Sequence, residues 1–316
     1  LGDVYKRQAL DGTKVKANAS KHKAMSYAWL KKRDEEYAKQ VADLLRRAED
    51  ADVAEDDLYG VDLRGDELPK ELRFREERLK RIREAKKALE DAALEKARSE
   101  GKLDENDQPK PRTGGRPPKT PPGEPKPKDQ YNFTDNDSHI MKMNHGGFDQ
   151  AYNCQAAVDS DAQVIVACDA TAEPNDKKQL MPLVQQIKTN LGALPKKASA
   201  DSGYYSEDNV KAIRSLGIDD YICPDRVKHG DVTPKVRGRP PKDLSFIDRV
   251  RRKLWTKAGR ATYKLRKQIV EPVFGQMKGA RGLRQFSLRG VEKVQGEWSL
   301  CCTGHNLRKM WLHSLA

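Results

Sequence analysis

Among the 48 acidic residues of this 316-residue chain, three stand in surroundings suited to phosphoryl-transfer chemistry: Asp11 in LDGT, Asp201 in SADSGYYSE and Glu271 in YKLRKQIVEPVFGQMK. Two aspartates at strand ends and a glutamate on a helix can hold two Mg2+ ions about 3.5–4 Å apart. Hard divalent cations take carboxylate oxygens, and a paired site clamps the attacking and leaving oxygens of a phosphodiester. Residue type alone does not separate these three from solvated surface acids, so their context must do so. Asp201 falls where a strand is expected to end in a Gly turn, with Tyr204 and Tyr205 able to pack beneath it, and strand ends are where open sheets build sites. Lys267, Glu271 and Lys278 would share one helical face, ringing a carboxylate with cations that can also meet DNA phosphates; an ordinary ion-paired amphipathic helix has the same pattern. Pro272 implies either a helix that restarts there or a longer one kinked near Glu271. FTDNDSHIM offers Asp135 and Asp137 as rivals to Asp11 for the first acid.

The elements that must position these residues can be read from composition and period. Residues 1–8 (LGDVYKRQ) look like a truncated or non-native start and are left out of the fold; residues 9–24 then supply a first strand with Asp11 on or beside it. Residues 25–100 are rich in Ala, Leu, Glu, Lys and Arg with a period near 3.6, which predicts a helical insertion broken around Tyr59-Gly60 and Leu68-Pro69. Residues 101–130 are proline-rich and basic and are expected to remain an extended linker. From 131 to 316, strand-like runs on either side of Asp159-Ser160-Asp161 form a hairpin. They are followed by a helix from Lys177, a strand over Lys197–Ala200, a helix over Ser206–Ser215 and a strand over Ile218–Cys223. A helix from Val291 closes the chain, so this portion reads as α/β.

Charge narrows the choice of partner. With 61 Lys and Arg the net charge is +13, and the stretch Arg226–Lys267 alone holds 15 basic and 3 acidic residues. A localised positive stretch of that size is expected to contact nucleic-acid phosphate. Two copies of GRPPK, at 115–119 and within Arg237-Gly238-Arg239-Pro240-Pro241-Lys242, resemble AT-hooks, whose arginines fit an A·T-rich minor groove; the competing reading is a plain basic spacer. The six histidines are scattered and no CxxC occurs, which argues against zinc. No phosphate-cradling GxxxxGK[ST] loop is present. No apolar run reaches the roughly 18–20 residues of a membrane span. No leader of secretory type opens the sequence, so a cytoplasmic, nucleoid-associated protein is expected.

Taken together, LDGTKVKANAS, SADSGYYSEDNV and YKLRKQIVEPVFGQMKGARGLRQFSLRG resemble the DDE transposases of bacterial insertion sequences. The detail is similar to the group with a Tyr-Arg-Glu-Lys signature. Here the Arg266-to-Glu271 gap is four residues where the common pattern has three, and Lys267 stands at the three-residue spacing. The resemblance implies a ribonuclease H-like mixed sheet flanked by helices, carrying the α-helical insertion and the proline-rich linker. It implies Asp11, Asp201 and Glu271 as catalytic, metal-binding carboxylates for two Mg2+ ions, with Mn2+ able to substitute. Tyr263, Arg266, Lys267 and Lys278, with Arg237 and Arg239, would be DNA-binding. The expected activity is cleavage and strand transfer at transposon ends by a homodimer on double-stranded DNA. A simple metal-dependent nuclease and a non-catalytic DNA-binding remnant are the alternatives.

Overall fold

The computed structural model describes residues 6–59, 70–111, 118–143, 146–225 and 243–314, together with positions 114, 236 and 238–241. They form two compact units, one made of residues 1–19 and 137–316 and the other of residues 20–136.

The larger unit is built on a six-stranded mixed sheet. Its central strand β1 (Arg7–Lys16) runs antiparallel to β5 (Phe148–Asp159) on one side and parallel to β7 (Lys197–Ala200) on the other, with β8 (Asp219–Ile222) parallel to β7. The far edge of β5 is shared by β4 (His139–Lys142) and β6 (Ile165–Thr171), both antiparallel to it. β1 begins two residues earlier than its sequence suggests. Gln8 is fully buried opposite Asp159, so Arg7 and Gln8 belong to the central strand instead of an irrelevant leader.

Helices cover both faces, which is why β1 and β5 carry apolar residues on both sides. On one face α3 (Leu180–Leu191), α4 (Glu207–Ser215) and α5 (Phe246–Trp255) close over Leu10, Ala157 and Ala200. In α3 the buried set Leu180, Leu183, Val184 and Ile187 follows the i, i+3, i+4, i+7 rule, and the helix stops at Gly192 in the left-handed region (φ +72). Ser206 caps α4 by accepting the Asn209 N–H, a contact worth about 1 kcal/mol. On the other face α6 (Lys257–Gly275) and α7 (Val291–Ser314) pack on Ala9, Val15, Tyr152 and Cys154, with Trp298 fully buried. The Asp137 carboxylate receives the first N–H of α7 at 2.9 Å, giving this acid a capping role.

α6 neither restarts nor stops at Pro272. A proline leaves the carbonyl four residues back without its helical donor, and the Gln163 side chain supplies one to Gln268 O at 3.0 Å. A π-helical turn, Gln276–Ala280, then ends the helix.

The smaller unit holds a short antiparallel pair, β2 (Ala24–Ser26) with β3 (Gln130–Asn132), and two long helices, α1 (Tyr27–Tyr59) and α2 (Lys70–Ser99). Leu30, Ile82 and Ala85 form its small core. The proline-rich segment after α2 departs from the expected extended linker. Leu103 is buried, Lys110 N–H bonds back to Lys102 O, and the described part of the segment clusters with the helices. One apolar anchor and local turns suffice to hold a polar stretch that could form no core of its own. Asp135, buried in this unit, has its N–H accepted by the Asn132 side chain at 3.3 Å. Among the described residues no helix is long and apolar enough to cross a membrane.

Candidate active site

The parallel register pairs Leu10 with Ala200, so the next residue on each strand, Asp11 and Asp201, come side by side. β7 ends at Ala200, and from Asp11 to Val15 β1 pairs with no strand on that side among the described residues, until Lys16 bridges to Gln285. The resulting gap in an otherwise continuous sheet is where the site opens, as at the strand ends of other open α/β sheets.

Asp11 lies opposite Ala156 and faces α6. Its Oδ2 accepts Nη1 of Arg266, and Oδ1 accepts the Gly12 N–H at 2.9 Å. Burial raises its pKa to about 6 against the pull of Arg266, with the carboxylates of Asp201 and Asp176 adding to the rise. Asp201 opens the 3-10 turn Ser202–Tyr204 and accepts the Gly203 N–H at 2.8 Å. Burial raises its pKa too, offset by that N–H and by Arg266, with Asp176 pushing the same way as burial. Two half-buried carboxylates held near one another form a site that favours a cation, and the cation present is Arg266. Its side chain is 10% exposed, its guanidinium stands 5.8 Å from the Tyr263 ring centre, and its Nε has no partner.

A third carboxylate, Asp176, lies within electrostatic reach of both, and sequence reasoning missed it. Its Oδ1 accepts Nδ2 of Asn153 at 2.7 Å and Nε2 of Gln155 at 2.8 Å. The Gln155 Oε1 in turn accepts the buried Tyr204 hydroxyl, and the Gln155 carbonyl accepts Trp298 Nε1 at 3.1 Å, so one strand residue ties both faces of the sheet to the site. Glycine makes this approach possible. A Cβ on Gly12 would stand 2.7 Å from Gln155 Nε2 and 2.9 Å from Asp176 Oδ1; one on Gly203 would stand 2.8 Å from Asp176 Oδ2 and 3.0 Å from Asp201 Oδ1. The signal was present in the strand AYNCQAAVD. Asn153 and Gln155 are polar, share one face two residues apart, and are 1% and 0% exposed, so they needed a buried polar partner.

Glu271 does not join the group. The buried stripe of α6 runs through Arg266, Ile269, Val270, Val273 and Phe274, and Glu271 lies five residues from Arg266, roughly 140° around the helix, exposed to solvent. Nothing among the described residues bonds it to Asp11 or Asp201, and no three acidic, histidine or cysteine side chains there are grouped to hold a metal ion. Lys267 is exposed beside it. Lys278, which the π-helical turn rotates inward, donates to Lys14 O at 2.7 Å and so fastens β1; burial lowers its pKa. Arg237 lies outside the described residues, as do Gly115–Pro117 of the first GRPPK copy. Arg239 is exposed, and the carbonyls of Gly238 and Arg239 are held by Arg252 Nη2 at 3.0 and 3.1 Å.

The donor chemistry fits a hard divalent ion. Mg2+ is commonly bound through one or two carboxylates, with water and substrate phosphate completing its shell, and Asp11 with Asp201 provide two. The sequence profile of a family described as Transposase DDE domain matches residues 118–307, well over half of the chain. That span includes Asp176, Asp201, Arg266, Glu271 and Lys278, while Asp11 precedes it. No curated protein matches the chain.

Proposed function

Because this chain belongs to the transposase DDE-domain family, we propose that Asp11 and Asp201 hold the divalent metal of a site that cuts and rejoins DNA at the ends of an insertion sequence. The observation that carries the reading is the pairing of these two acids at the gap in the sheet, with Arg266 between them and α6. When bound, Mg2+ or Mn2+ supplies Lewis-acid polarisation of the phosphodiester and a lowered pKa for the attacking hydroxyl. The protein's own part is orientation. Gly12 N–H and Arg266 fix the two oxygens of Asp11, Gly203 N–H fixes Oδ1 of Asp201, and Asn153 with Gln155 fix Oδ1 of Asp176. Arg266 also balances the carboxylate charge in the absence of metal.

Two residues compete to be the third carboxylate. Glu271 is supported by its motif and Asp176 by its position. Double-stranded DNA is the substrate, approached by the basic residues around α5 and α6, and two copies of the chain bring two element ends together. The dimer and the strand-transfer step rest on the resemblance to insertion-sequence transposases.

The test is nicking and end-joining of labelled element-end DNA with Mg2+. Asp11→Asn and Asp201→Asn are expected to lose both activities while still binding DNA. Glu271→Gln and Asp176→Asn then identify the third acid by which of them fails. Nicking that persists in Asp201→Asn, or is absent from the wild type, rejects the catalytic reading in favour of a DNA-binding remnant. Nicking without joining leaves a nuclease.

A further inference from the structure

The smaller unit contains a cavity of about 400 Å3 that the catalytic reading leaves unused. Its apolar lining comes from Met25 and from Ile82, which is 3% exposed and part of the unit's core. Three aromatic rings line it: Trp29 and Tyr37, two turns apart on α1, and Phe133 just after β3. Trp29 and Phe133 are 41% and 38% exposed, an unusual setting for rings that could have been placed in the core. His22 and basic groups complete the lining, with Lys23 before α1, Arg33 on it, and Arg78 and Arg81 on α2; no acid takes part.

The cations and rings are paired. The Arg33 guanidinium lies 4.6 Å from the Trp29 ring centre, and that of Arg78 lies 5.7 Å from Tyr37 and 5.5 Å from Phe74. Arg33 also bonds Glu36 at 2.8 Å, whereas Lys23 and Arg81 form no ion pair among the described residues. Partly exposed rings that already carry cations, as Trp29 does with Arg33 and with Lys32 at 5.9 Å, form the combination that stacks a base and holds its phosphate. A duplex keeps its bases stacked on one another and presents only phosphates, so it would use the cations and leave the rings idle. An acidic peptide likewise needs no flat ring faces. The volume lies within the roughly 300–1,000 Å3 of small-ligand sites.

We infer that this cavity seats one unpaired nucleotide of a DNA strand, its base on Trp29 and its phosphate on Arg81 and Lys23. The function reached is recognition of a frayed or unstacked DNA end, separate from the carboxylate site.

The experiment measures binding of the full chain to dye-labelled oligothymidylate and to a duplex of equal length, without divalent ions so that no strand is cut. The expected result is that Trp29→Ala weakens single-strand binding roughly tenfold to a hundredfold, the worth of one base stack, with duplex binding unchanged, while Arg81→Glu weakens single-strand binding and takes some duplex binding with it. Trp29→Phe should restore most of the loss. A 2-aminopurine in the single strand should be quenched by the wild type and not by Trp29→Ala. Because Trp29 is 41% exposed, its replacement should leave the unfolding temperature in place, which separates a lost contact from a lost fold. Asp201→Asn should bind the single strand normally, so failure of the catalytic reading is distinguishable from failure here. The inference is overturned if wild type and Trp29→Ala bind oligothymidylate alike. It is also overturned if single-strand and duplex binding fall in parallel in Trp29→Ala, if an abasic strand binds as well as a normal one, or if polyglutamate competes as strongly as DNA.

Discussion

At the scale of single residues, the site depends on what is missing from Gly12. That position lies against the Asp176 carboxylate and the two amides that hold it, and a methyl group there meets a polar atom of each of the three. Gly12→Ala is expected to cost about 1–3 kcal/mol from overpacking and to abolish nicking, because the Asn153 and Gln155 amides must shift to admit it; thermal unfolding and the nicking assay read the two effects separately. Asp11 gives a pH signature. With its pKa raised to about 6, a cation must displace a proton below that pH. Mn2+ affinity measured by calorimetry should therefore fall as the pH drops from 7 to 5, with proton uptake in the reverse direction, and Asp11→Asn should remove most of the dependence. An affinity independent of pH in the wild type would exclude Asp11 as a ligand.

At the scale of elements, two joints hold the sheet's helical covers in place. α5 turns into α6 around Thr256, whose hydroxyl donates to Lys253 O at 2.8 Å and accepts Gly259 N–H at 3.0 Å. A Cβ on Gly259 would overlap the Lys253 carbonyl, so Gly259→Ala should destabilise the fold by several kcal/mol, seen as a lower denaturant midpoint. α7 is joined to the edge strand β6. Asn306 accepts Ile165 N–H at 2.8 Å and donates to Ile165 O at 2.7 Å, imitating one more strand, while the buried His305 Nε2 meets Gln163 O at 2.9 Å. Burial lowers the His305 pKa from its ordinary 6.5. The unfolded chain then binds the extra proton more readily, so the stability due to neutral His305 is present above 6.5 and is lost as the pH falls below it. His305→Gln, which keeps a donor for Gln163, should flatten that part of the stability curve.

Legibility followed the same division. Strands over Lys197–Ala200 and around Asp159, and the helices after Lys177 and Ser206, were readable because a period and a turn residue marked each of them. Asp11 and Asp201 were legible as candidates from short motifs, and their nearness follows from the pairing of Leu10 with Ala200. Asp176 was not, because its importance arises from two amides on a strand twenty residues away, a relation that only register reveals. The orientation of Glu271 was not either. Helical spacing groups it correctly with Lys267, but which stripe faces the sheet is decided by Val270, Val273 and Phe274, and Pro272 was tolerated only because Gln163 satisfies the carbonyl it frees.

At the scale of the whole molecule, much of the positive charge lies in one stretch of sequence, with 15 basic and 3 acidic residues from Arg226 to Lys267. Binding of duplex DNA should therefore weaken at least tenfold between roughly 50 and 200 mM salt, with a log-log slope set by the number of phosphates neutralised. Substituting Arg239 together with Lys267 should make the slope shallower; an unchanged slope would place the phosphate contacts elsewhere.

The central strand β1 is made well before its antiparallel neighbour β5, which starts at Phe148. At roughly 5–20 residues per second, on the order of ten seconds separate the synthesis of β1 from that of β5. What is made in the interval is the helical unit, which opens and closes on the Ala24–Asn132 strand pair and so returns the chain close to where it departed. A flexible loop of that length would have to be closed at the moment β5 pairs. A unit folded onto its own strand pair brings Ala24 back to Asn132, so the segment that remains to be closed when β5 pairs with β1 is short.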